Sequence, residues 1–147
     1  MIILGINAYH ADASAAIVID GKLIAAAEEE RFNRIKHCAG FPKEALIYCL
    51  KEAGVSVKDV DYIALPKDPK ARFLKKLYYG LKIPRLALRR LQALRKTRNI
   101  KKTICHIFNV DDQEIKANLV NIEHHQAHLA SSFFVSPFER ALLFSAD

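Results

Sequence analysis

Apolar and polar positions along the first thirty residues fall into short runs, MIILGINA, ASAAIVID and KLIAAAEEE. A polar link joins the first two, and Asp20-Gly21, a tight-turn pair that favours antiparallel neighbours, joins the last two. The pattern predicts a three-stranded meander over residues 2 to 30. Gly5 interrupts the first run, which points to close approach of a ligand or of neighbouring backbone. After a loop, RFNRIKHCAGFP, the period changes to that of a helix. Ala45, Leu46, Cys49, Leu50 and Ala53 recur at helical spacing between Pro42 and Gly54. DYIAL, 61 to 65, then reads as a short buried strand, so the helix crosses over the sheet.

Pro66, Pro69, Gly80 and Pro84 punctuate the next stretch, where RFLKKLYYG and PRLALRRLQALRK are predicted amphipathic helices. Leu86, Leu88, Leu91 and Leu94 supply most of the apolar stripe of the second. TICHIF and NLVNIE are predicted as short strands on either side of an acidic turn, DDQEIK. HHQAHLASSFFVS is predicted as a short helix broken at Pro137. RALLFSAD reads as a further strand that runs to Asp147 with no closing element, as a cut through a larger protein would leave it.

Length and composition narrow the class. A chain of 147 residues, 51% hydrophobic, buries one sizeable core. Cys38, Cys49 and Cys105 form no regular spacing, which argues for reduced thiols inside a cell. No basic leader precedes a signal-like apolar run and no stretch has membrane-spanning length, so a cytoplasmic location is expected. The net charge of +7 is unevenly placed: residues 67–102 hold 14 Lys/Arg and one acidic residue, while the rest holds 9 Lys/Arg and 15 Asp/Glu. The chain is an acidic body with a basic helical insert.

Three stretches carry candidate chemistry. Asn7, His10, Asp12 and Ser14 crowd the link NAYHADAS, which either cradles phosphate oxygens or only satisfies its own turn. In AEEERFNRIKH, residues Arg31, Arg34, Lys36 and His37 either clamp an anion or lie on a solvated loop. In EHHQAH, His124 and His128 share one helix face and could offer two imidazoles to one ion, or could be core-edge histidines. His125 points a quarter-turn away. The run lacks the H-E-x-x-H glutamate, and a metal needs a third protein ligand. The basic insert could attract nucleic acid, with Tyr78 and Tyr79 to stack on bases, but no recognition motif accompanies it and its leucines pack. Nucleic acid is the weaker reading.

The stretches GINAYHADASAAIVIDGKLIAAAEEERFNRIKHCAGFPKEAL and EHHQAHLASSFFVSPFERALLFSAD together resemble the N-terminal part of carbamoyltransferases of the nodulation and antibiotic-tailoring type. The likeness covers roughly residues 3 to 55 and 120 to 147, while the basic segment matches poorly. The resemblance implies an α/β fold: an actin-like or sugar-kinase-like ATPase domain with an RNase H-type mixed sheet, related to the tRNA threonylcarbamoyladenosine-forming enzyme. It implies transfer of a carbamoyl group from carbamoyl phosphate to a small hydroxyl-bearing acceptor, through a carbamoyl-adenylate made with ATP, with a divalent metal such as iron. On these positions it places metal ligands at His124, His128 and Asp147, and catalytic groups at His10 and Lys36. Substrate-phosphate contacts fall at Asp12, Ser14, Arg31, Arg34 and His125. Residues 1–147 would then be an N-terminal lobe with an insert over about 67–102, inactive alone. Its C-terminal lobe would lie in a longer product or a partner subunit. The alternative is a non-catalytic module that binds nucleotide or nucleic acid through the insert.

Overall fold

The computed structural model describes residues 1–66 and 99–145. The predicted helices of the insert and Asp147 lie outside the described residues. The meander forms as expected, with β1 Ile2–Asn7, β2 Ser14–Ile19 and β3 Lys22–Glu28 paired antiparallel in sequence. Asp20 and Gly21 both have positive φ, 48° and 81°, the twist that a two-residue hairpin needs. A one-turn helix, α1 Glu30–Asn33, follows where only loop was expected. The crossover helix α2 spans Lys43–Ala53 and ends on Gly54 at φ 65°, whose N–H returns to Leu50 and Lys51.

The chain then adds β4 Tyr62–Leu65 beside β1, and β5 Asn118–Asn121 beside β4, both parallel. The sheet order is β3-β2-β1-β4-β5. A meander with parallel strands added on the β1 side is the RNase H-type mixed sheet that the resemblance implies. Leu4, Ile6, Ala15, Ile17 and Ile63 share one face and are buried under Ala45, Leu46, Cys49 and Leu50 of α2. The opposite face presents Gly5, Ala16, Ala26 and Ala64. A Cβ on Gly5 would meet the Ala16 carbonyl at 3.7 Å, an ordinary contact, so among the described residues no backbone demands glycine there.

Two strand expectations fail. TICHIF lies in a helix, α3 Ile100–Phe108, because Ile100 and Ile104 project together into the core with Cys105 and Phe108 beside them. Ile100 thus ties the last residues of the basic stretch to the core. RALLFSAD forms no strand among the described residues: Leu142 and Phe144 are almost fully exposed, and no sheet edge pairs with them. The acidic segment does turn as expected, with Glu114 N–H donating to the Asp111 carbonyl and the Glu114 carboxylate pairing with Lys58. The last described helix is α4, His124–Phe133.

Candidate functional site

Strands β1, β4 and β5 run parallel, so their C-terminal ends lie at one edge of the sheet. In α/β sheets that edge is where ligands sit. The 8–13 link leaves it from β1, and α4 begins there with two residues between it and β5. Strand spacing puts the ends of β1 and β5 about 10 Å apart, the reach of a small phosphorylated molecule.

The link is built tightly. Asn7 Nδ2 donates to the carbonyls of Ala11 at 3.3 Å and Asp12 at 3.0 Å. Tyr9 and Asp12 both adopt φ 60°, which side chains other than glycine rarely do. The loop after α1 packs against it: Tyr9 N–H donates to Gly40 O and Ala13 N–H to Cys38 O, both at 2.9 Å. His37 Nδ1 lies 2.8 Å from Asp12 Oδ1, and that contact raises the imidazole pKa above its ordinary 6.5, first through the hydrogen bond and then through the carboxylate charge. His10, Arg34 and Lys36 are exposed on these two segments, and Ser14 is half-buried at the start of β2. Of the expected anion clamp, Arg31 turns to carboxylates instead, with Nη2 3.6 Å from Glu28 and 3.8 Å from Glu30.

Glu29, which sequence reasoning passed over, is the buried charged residue of the described core, 5% exposed. Its Oε1 accepts from Glu44 N–H at 3.2 Å and its Oε2 from Ala45 N–H at 2.9 Å, so it caps the N-terminus of α2 from the end of β3. Three glutamates stand in series there, and nothing local in the sequence tells which one turns inward. A cavity of about 690 Å³ lies alongside, floored by Gly5, Ala16, Ala26 and Ala64 and edged by Asn7, Ser14, Glu28 and Arg31.

The histidine pair is formed. Glu123 caps α4 by accepting from Gln126 N–H at 3.1 Å, and one turn then brings His124 Nε2 and His128 Nε2 to 3.2 Å. Ser131 and Ser132 hydroxyls donate to the His128 carbonyl at 2.9 and 3.3 Å. Two ring nitrogens held about 2.1 Å from one ion stand about 3.0–3.4 Å apart, so this spacing fits two ligands of a single metal. His125 does point elsewhere: its Nδ1 lies 3.1 Å from Ser145 Oγ. Among the described residues no group of three possible ligands is assembled. The third expected ligand, Asp147, is outside them.

The site thus belongs to an RNase H-type mixed-sheet lobe with a tight β1–β2 link and a helix-borne histidine pair at one sheet edge. The chain belongs to the carbamoyltransferase family: the model for the Carbamoyltransferase N-terminus matches residues 2–146. It is 40% identical to the uncharacterized protein sll1178 of Synechocystis sp. over 99% of this chain and 25% of that protein. It is 31% identical to the nodulation protein NolNO of Sinorhizobium fredii over 96% of this chain and 20% of that one. The chain thus spans a quarter or less of the length of these relatives. Among solved structures, YeaZ from Pseudomonas aeruginosa aligns with 89% of this chain and 46% of its own at 16% identity and a TM-score of 0.45. No described helix is long and apolar enough to cross a membrane.

Proposed function

We propose that this chain is the phosphate- and metal-binding lobe of an ATP-dependent O-carbamoyltransferase, a binding module that is not catalytic alone. The observation that supports this most is the shared sheet edge: the 8–13 link, packed by the loop that carries Lys36, and the 3.2 Å histidine pair follow the C-terminal ends of strands that run parallel. In this reading residues 1–147 act as one lobe with its basic insert. The acceptor site and the remaining metal ligand come from the parts of the protein that the longer relatives possess.

Within the lobe, His124, His128 and Asp147 would hold a divalent metal, iron or another. A metal there would neutralise phosphate oxygens of ATP or carbamoyl phosphate. The chain's own groups do the rest. His10 and Lys36 face developing negative charge as carbamate, left when water releases phosphate from carbamoyl phosphate, attacks the α-phosphate of ATP through oxygen and expels pyrophosphate to give a carbamoyl-adenylate, and loss of either costs on the order of a hundredfold in rate. Asp12 and Ser14 shape the link, while Arg34 and His125 contact phosphates from the rim, and Arg31 would join them only on leaving Glu28 and Glu30. The small hydroxyl-bearing acceptor completes the transfer in the whole protein.

Calorimetric titration with Zn²⁺ tests the ligand set on the native chain, His124→Ala and Asp147→Ala. The native chain binds tightest and both variants lose affinity; equal affinity in all three overturns the assignment. Turnover by the chain alone, given ATP, carbamoyl phosphate and a sugar acceptor, would overturn the binding-module reading. A parallel arm uses random-sequence DNA. Binding that weakens steeply with salt and disappears on neutralising Arg89, Arg90, Arg95 and Lys96 would move the function to the insert.

A further inference from the structure

Two loops that are distant in sequence meet in this lobe, and strain is concentrated where they meet. Six described residues other than glycine have positive φ. Asp20 sits in a hairpin turn, and Asn109 and Arg34 close helices. The other three, Tyr9, Asp12 and His37, at φ 60°, 60° and 53°, lie on the facing segments 8–13 and 34–42. Such backbone persists only where surrounding contacts over-determine it. Two backbone hydrogen bonds, Tyr9 to Gly40 and Ala13 to Cys38, and one side-chain contact, His37 to Asp12, do so here.

The side-chain contact is the adjustable one. Asp12 faces His37 from the link, Glu30 of α1 accepts the His37 backbone N–H at 3.2 Å, and Glu28 of β3 adds a further negative charge. All three favour the imidazolium. Lys36 precedes His37 directly, and His10 lies two positions before Asp12.

We propose that His37 is a positioning residue: by closing onto Asp12 it locks the loop that carries Lys36 against the link that carries His10, and so sets the geometry in which those two meet a phosphate-bearing ligand. The inference rests on the proposed phosphate-binding role of this edge. Protonated His37 holds the latch. As pH rises through the imidazole's elevated pKa, above 6.5, the ion pair is lost and the loop loosens.

The test is a proton and nitrogen NMR titration of the native chain, Asp12→Asn and His37→Gln, each without ligand and with ATP as the probe. Without ligand, amide signals of residues 9–13 and 36–40 move with the same midpoint as the His37 ring, and Asp12→Asn lowers both midpoints together. ATP affinity falls about tenfold across that midpoint in the native chain and is flat and weak in His37→Gln. Loop signals that do not follow the ring, or an ATP profile whose midpoint is unmoved by Asp12→Asn, overturn the latch. Coupled loop movement with no ATP binding at any pH overturns instead the phosphate-binding reading, because the latch then positions nothing.

Discussion

At the scale of single residues, the site owes most to side chains whose roles are set by partners far along the chain. Glu28, Glu29 and Glu30 are chemically alike, yet one lines a cavity, one is buried under α2 and one accepts the His37 amide. The sequence shows the acidic run but not this division, because the deciding groups are the Glu44 and Ala45 amides, 15 and 16 positions away. Replacing Glu29 leaves those amides buried and unpaired. Glu29→Ala should therefore destabilise the chain by about 1–3 kcal/mol in urea unfolding, with Glu29→Gln losing less because its carbonyl oxygen still accepts. The histidine pair was more legible: i, i+4 spacing on a helix is a local property, and His124 and His128 meet as the spacing says. That His37 faces Asp12 was not legible, because it depends on how two loops fold over each other.

At the scale of elements, local signals succeeded where the partner is near. Asp20-Gly21 and the β2–β3 pair lie within a few residues, and the helical stripe of α2 reads directly as Ala45, Leu46, Cys49 and Leu50, all buried. TICHIF misleads because Thr103, Ile104 and Ile107 are β-branched, a strand preference that tertiary packing overrides. Its helical register shows only when Ile100, at the end of the basic stretch, is read together with Ile104 and Phe108. Both isoleucines reach the core, so Ile104→Ala should cost about 2–5 kcal/mol, read from the shift in the urea midpoint. A strand-like loss at Ile107 in its place would contradict the helix. RALLFSAD has the apolar content of a strand, but a strand exists only when paired, and its described residues pair with neither edge of the sheet, β3 or β5.

At the scale of the whole molecule, the fold was largely readable because a meander, a crossover helix and a return strand leave few topologies open. The site was readable only as separate pieces, since the parallel pairing of β1, β4 and β5 is what brings link and histidines to one edge. The same packing creates a reporter of its loss. Cys49 lies fully inside, its Sγ against the Ala15 carbonyl at 3.4 Å, and burial pushes its pKa from 9.0 to about 11. Stability from keeping this thiol neutral is complete below pH 9 and is lost as pH climbs toward 11, a slope that Cys49→Ala should remove. At neutral pH, Cys38 and Cys105 are half-buried and open to alkylation from the folded chain. Cys49 reacts only when the core separates. Mass spectrometry of alkylated chains over time therefore turns one sulfur atom into a clock for global opening, readable inside a mixture and without any spectroscopic label.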